Sequence, residues 1–251
     1  MDLGLAGRVF IVTGASAGLG FASAQALVDD GAKVVICSRT PPRIDAAVAA
    51  LGAGSARGLA LNLADPDVAD RLVAEAITAY GRLDGAILSV GGPPGGQAKD
   101  IDDEQWRVSF ETVFLGPLRV ARAVLDSGEG KSVTFVLSSS VKSPVAGLGI
   151  SNALRPGLAG AAKSMAEEYG PTGGRVTMVL PGRLDTDRIK ELEGATSDPA
   201  AARAQFEALI PLGRYGRPEE LGRVAAFLVS PAASYLTGIA VPVDGGLTRS
   251  L

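Results

Sequence analysis

Short, uninterrupted apolar runs alternate along this chain with longer stretches in which apolar positions recur every three or four residues. The runs are RVFIVT (Arg8 to Thr13), KVVICS (Lys33 to Ser38), a third within ARGLALNL, GAILSV (Gly85 to Val90), SVTFVLS (Ser132 to Ser138), RVTMVLP and IAVPVD. Strands that are apolar throughout are buried on both faces, as in a parallel sheet covered by helices. Between the runs, Phe21, Ala24, Leu27 and Val28 share one helical face, and Val68, Leu72, Val73 and Ala76 share another. Further helical patterns run from Asp102 to about Leu125, from Ser151 to Tyr169 and from Glu219 to Val229. Ser151-Asn152 ahead of an apolar run suits the start of a helix. This alternation predicts an α/β fold: a doubly wound parallel sheet of about seven strands with helices on both faces. No linker or fixed-period repeat interrupts it, so residues 1–251 read as one domain. The least regular part, Asp185 to Pro211, reads as an insertion serving as a substrate lid.

Composition narrows the function. With 47% hydrophobic residues the chain can bury a substantial core, and a net charge of −3 gives no reason to expect nucleic acid or an anionic membrane as partner. No apolar run is long enough to span a bilayer. MDLGLAGRVF has no basic stretch ahead of an apolar run, so no secretory leader is expected there, and a single cysteine, Cys37, fits a reducing cytoplasm. The chain has no histidine, which removes Ser-His-Asp and Cys-His catalysis along with the commonest metal ligand, and no metal site is expected.

The first chemical motif is TGASAGLG, Thr13 to Gly20, between the first strand and the first helix. Glycines there allow close backbone approach to a pyrophosphate, and the helix N-terminus favours negative charge. A tight strand–helix turn would use the same glycines; the position after strand one favours the cofactor. Thr-Gly-x-x-x-Gly-x-Gly resembles the cofactor loop of the short-chain dehydrogenase/reductase family. PGRLDT (Pro181 to Thr186), PLGRYGRPEE and SYLTGIAVPVDGG resemble that family's later signatures, so the resemblance covers nearly the whole chain. It implies a Rossmann-like fold, a nicotinamide cofactor, a small-molecule substrate and a homodimer or homotetramer built through the helices after strands four and five. The cofactor residues it implies are Gly14, Ser16, Gly18, Leu19 and Gly20 in the loop, Asn62 and Leu63 after strand three, Gly91 in the SVGGPP turn, and Pro181, Gly182, Leu184 and Thr186. At the end of strand two no acidic residue stands between Val34 and Arg43. Ser38 and Arg39 stand there instead, and Arg suits bidentate phosphate contact, which points to NADP rather than NAD.

The family's reaction is usually carried by Asn, Ser, Tyr and Lys, and here Tyr-x-x-x-Lys is absent. Counting back from EEYGP places Ser151 at the Tyr position and Arg155 at the Lys position, within SNALR. Thirteen residues before Ser151, Ser138 matches the usual serine, with Ser139 as the alternative register, and the Asn position falls on Val113. The resemblance then implies that Ser138 and Ser151 bind the substrate oxygen while Arg155 holds cofactor and polarises that oxygen. Lys142, four residues after Ser138, would be the proton donor if it were desolvated over the site; otherwise it is an ordinary loop charge. Ser151 and Asn152 as a mere N-cap, and Arg155 as a structural ion-pair partner, are the alternatives. The expected activity is NADP-dependent hydride transfer between nicotinamide and a carbonyl or alcohol. A cofactor-binding scaffold without turnover, or proton-transfer or elimination chemistry on the same fold, is the rival.

Overall fold

In the computed structural model, which describes residues 2–194 and 197–250, the apolar runs form β1 (Val9–Thr13), β2 (Lys33–Ser38), β3 (Ala56–Ala60), β4 (Gly85–Leu88), β5 (Ser132–Val136), β6 (Arg175–Pro181) and β7 (Ala240–Val243). They make one parallel sheet in the order β3-β2-β1-β4-β5-β6-β7. The helices are α1 (Gly18–Asp29), α2 (Pro41–Leu51), α3 (Val68–Tyr80), α4 (Asp103–Ser109), α5 (Gly116–Asp126), α6 (Gly149–Tyr169), α7 (Asp187–Gly194), α8 (Pro199–Leu209) and α9 (Pro218–Val229).

Successive strand residues point to opposite faces, so each strand feeds two cores. Val9 and Ile11 of β1 pack with Leu72 of α3, Val124 of α5 and Leu158 of α6. Phe10 and Val12 pack with Leu27 of α1, Ile44 of α2 and Leu221 of α9. At the sheet edges burial on both faces fails: β3 is buried only at Ala56, and no β7 residue is fully buried.

The structure corrects several boundaries. The pattern from Asp102 to Leu125 is not one α-helix, because a π-helical turn, Phe110–Leu115, separates α4 from α5. The helix expected from Ser151 begins at Gly149, so Ser151 and Asn152 lie inside its first turn and do not cap it. Asn152 instead clips the preceding loop, accepting from the Val145 N–H at 2.9 Å and donating to the Val145 carbonyl at 2.8 Å. Helices α2 and α8 are absent from the hydrophobic pattern because their buried faces are thin, with three buried residues in α2 and none in α8.

At the N-terminal end of the sheet, Asp84 joins β1 to β4. It accepts from the Val9 N–H at 2.9 Å, from Arg82 at 2.9 and 2.6 Å and from Arg8 at 3.2 Å. Burial works against its charge, but the hydrogen bonds from Arg82 and Val9 and the two guanidinium charges outweigh it and hold the carboxyl below its usual range. Its contribution is therefore present above the ordinary carboxylate range and is lost as pH falls through the lowered value. Asp84→Ala is expected to cost about 2 kcal/mol and to lower the melting temperature by roughly 4–8 °C at neutral pH, with a smaller deficit in acid; thermal melts across pH check this.

Candidate active site

The strand order reverses between β1 and β4, and a doubly wound sheet opens a crevice there at the C-terminal strand ends. Thr13, the last residue of β1, donates its hydroxyl to the Ser89 carbonyl at 2.7 Å. Gly14 follows with φ +58°, and a β-carbon on it would sit 2.7 Å from that same carbonyl oxygen. A β-carbon on Gly20 would strike the Gly14 carbonyl. The glycines thus fold the loop over the end of α1 with no side chain to fill the hollow above it.

Around this loop lies a cavity of about 680 Å³. Gly14, Gly18, Leu19 and Gly20 line one side; Gly91, Gly92 and Pro93 line another; Ser138 and Ser139 follow β5, and Ser151 and Arg155 lie on α6; Pro181 ends β6, and Gly182, Leu184 and Thr186 follow it. Most of the expected site residues are therefore brought together. Ser16, Ser38, Arg39, Asn62 and Leu63 lie outside this wall. Arg39 is exposed, and the Ser38 hydroxyl is buried without a partner. One lone pair of the Asn62 amide oxygen is taken by the Ala64 N–H at 3.2 Å, and the Leu63 carbonyl abuts Gly116, where a β-carbon would collide with it. Arg43, in the first turn of α2, does line the cavity; the unrecognised α2 concealed it. Lys142 is exposed and outside the wall, so the desolvation that would make it a proton donor does not occur.

Arg155 is 5% exposed and makes no ion pair with any described residue. Its Nη1 donates to the Val136 carbonyl at 2.8 Å, while its Nε has no partner. Burial pulls its pKa down to about 10. The structural ion-pair alternative therefore fails. Ser151, also buried, lies beside Ser140 with the two hydroxyl oxygens 3.4 Å apart, a long contact that leaves the cavity-lining Ser151 hydroxyl free to turn toward a ligand. Ser138 accepts from the Ser140 N–H at 3.1 Å. Val113 is buried in the π-helical turn, a feature frequent at functional sites.

The expected irregular lid is two helices on the residues described; residues 195 and 196 lie outside them. Arg203 of α8 grips Asp185 with two 3.1 Å bonds, bonds Glu207 at 3.0 Å and stacks over Tyr215. Tyr215 donates to Glu193 of α7 at 2.6 Å; burial and this bond push its pKa up to about 12. Arg188 of α7 donates to the Pro93 carbonyl at 2.7 Å, against Gly92, where a β-carbon would meet its Nε. The glycine turn thus seats α7.

A glycine cradle at the switch point of a parallel doubly wound sheet defines a dinucleotide-binding α/β protein. The residues fit a nicotinamide dinucleotide: the cradle leaves the space a pyrophosphate needs, and the unpartnered Nε of Arg155 can donate to an oxygen acceptor. The enoyl-(acyl carrier protein) reductase family model matches residues 14–248. The 3-oxoacyl-(acyl-carrier-protein) reductase of Escherichia coli is 33% identical over 247 residues, covering 96% of this chain and 97% of that one. Human dehydrogenase/reductase SDR family member 4 is 34% identical over 253 residues, covering 98% and 90%. Among solved structures, L-sorbose reductase from Gluconobacter frateurii, complexed with NADPH and L-sorbose, superposes with a TM-score of 0.91 at 27% identity over all of both chains. An NADPH-dependent reductase involved in bacilysin biosynthesis gives 0.90 at 26%, covering 97% and 99%. The chain belongs to the short-chain dehydrogenase/reductase family of oxidoreductases.

A structural arginine costs several kcal/mol when removed, whereas a buried cation held only for a ligand penalises the empty protein. Arg155→Met is expected to leave the ligand-free melting temperature unchanged or higher while weakening nicotinamide nucleotide binding about tenfold or more; calorimetry paired with fluorescence titration checks both.

Proposed function

We propose that this chain is an NADP-dependent reductase whose active site replaces the family's Tyr and Lys with Ser151 and Arg155. The observation that carries this is Arg155: buried, without a counterion, and in one wall with Ser138, Ser151 and the glycine cradle. When bound, the cofactor supplies hydride at its nicotinamide. Arg155 keeps its proton and presents a rigid fork of donors, suited to ribose hydroxyls and to a developing oxyanion. Ser138 and Ser151 donate to the same substrate oxygen, and the fastened α7–α8 lid limits water. Thr186, beside Gly18 in the loop, holds the carboxamide.

NADP is favoured by Arg39 and Arg43, which bracket the end of β2 and the start of α2 with no carboxylate between them to hold a ribose 2′-hydroxyl. Of the two structural relatives named above, one is complexed with NADPH and the other is NADPH-dependent. The lone, buried Cys37 suits a cytoplasmic protein. NADPH is expected to bind at least about tenfold more tightly than NADH by nicotinamide fluorescence, and Arg43→Ala to erase most of that difference, a loss of roughly 1–2 kcal/mol, without weakening NADH. Equal affinities would refute the assignment.

The reading includes a homodimer or homotetramer. Val108 and Phe110 are exposed, and Phe110 stacks at 5.1 Å on Phe114, whose ring stands against the exposed Gly157 of α6. Light scattering at micromolar concentration is expected to give at least twice the chain mass, and Phe110→Glu to reduce it.

A further inference from the structure

We propose that the substrate is a carbonyl compound that also carries a carboxylate, and that Arg183 is the residue that recognises this second group. The inference rests on the reductase reading above and extends it to the chemistry of the substrate. Four arginines and no lysine line the cavity among the described residues: Arg43, Arg155, Arg183 and Arg188. The reductase reading gives Arg43 and Arg155 to the cofactor and the reacting oxygen. Arg188 uses its donors on the Pro93 carbonyl at 2.7 Å and on Glu191 at 3.1 Å. Arg183, in the loop after β6, is half-buried, and its side chain makes no ion pair or hydrogen bond with a described residue.

Phe206 of α8 holds Arg183 in place. The guanidinium carbon stands over the ring, 3.5 Å from its centroid, a separation that a planar guanidinium reaches by stacking on the ring. Stacking occupies the face of the guanidinium and fixes its plane, while the N–H donors point outward within that plane. Arg203 shows in the same molecule what a guanidinium held this way binds. It lies over the Tyr215 ring at 4.5 Å, and its donors take Asp185 through two bonds of 3.1 Å and Glu207 at 3.0 Å. Arg183 has the same support from an aromatic ring and no carboxylate partner among the described residues, and both it and Phe206 line the cavity. Burial lowers the Arg183 pKa, and Tyr215 and Glu193, acting through space, only partly offset this, so an anion placed against it is favourable. The surroundings select among anions. Glu193 is within electrostatic reach of Arg183 and repels a phosphate dianion more than a singly charged group. A carboxylate carries one charge and matches the planar fork through two parallel bonds. Leu148, Ile189, Leu192 and Leu209 give the carbon skeleton an apolar surface.

Calorimetry on NADP⁺-loaded protein tests this with pairs that differ chiefly in charge: levulinate, 5-oxohexanoate and 4-oxocyclohexanecarboxylate, each against its methyl ester. At least one acid is expected to bind roughly tenfold or more tightly than its ester. Arg183→Met is expected to bring that ratio close to one, and Arg183→Lys, which keeps the charge without the fork, to retain part of it. Turnover with NADPH is expected to show the same preference, carried by KM and not by kcat; where no ketone turns over, the binding ratio decides by itself. Acids and esters bound alike in all three pairs would overturn the proposal, as would an acid preference that survives Arg183→Met. So would a parallel loss of NADPH affinity in Arg183→Met, which would place Arg183 on the cofactor. Should the Arg183 variants fail to fold, as seen in thermal melts, Phe206→Leu removes the stacking ring and leaves Arg183 in place; it is expected to weaken acid binding severalfold, and an unchanged ratio would count against the proposal. Failure of the reductase reading is seen separately, as absence of NADPH binding in the fluorescence titration.

Discussion

The crossing of β1 and β4 at the Ser89 carbonyl organises everything above the sheet. One oxygen accepts the Thr13 hydroxyl and stands against the bare α-carbon of Gly14. That close approach is possible only because position 14 carries no side chain and can hold a positive φ. It brings the start of α1 over the crevice and places its N-terminal amides and positive dipole end toward the ligand space. The loops after β4, β5 and β6 then fill the rim, since parallel strands all end on the same side.

The rim is fastened from above by polar contacts that the sheet does not supply. Asp185 and Arg203 pair through two bonds, Arg203 lies over the Tyr215 ring, and Tyr215 reaches Glu193. Arg188 ties the same assembly to the Gly91–Pro93 turn. Few buried apolar residues hold α7 and α8, so these helices depend on the network and are poised to separate without disturbing either core.

Arg155 shows the opposite balance. Its burial without a counterion is unfavourable to the empty protein, and its single hydrogen bond to the Val136 carbonyl does not neutralise the charge. Such a group persists where function needs it. On the proposed reading of the site, a hydroxyl at Ser151 and a guanidinium at Arg155 supply hydrogen-bond donors and fixed charge, where a phenol and an ammonium would supply a proton.

Much of this was legible in the chain. The seven strands, the doubly wound architecture, the glycine loop and the grouping of Ser138, Ser151 and Arg155 follow from periodicity, motif position and family resemblance, because buried strands and phosphate loops constrain residues locally. What periodicity missed lacks a strong apolar face: α2 and with it Arg43, α8, and the order of the lid, which rests on ion pairs between residues far apart in the chain. The π-helical turn and the start of α6 two residues before Ser151 were likewise beyond it, since each depends on neighbours from other elements, whereas the exposure of Lys142 agrees with its reading as an ordinary loop charge. The sequence by itself determined which residues could meet in the crevice; only the tertiary structure decided that Arg155 is buried there with no counterion among the described residues, because a missing counterion is a property of everything packed around a residue and of no stretch of chain alone.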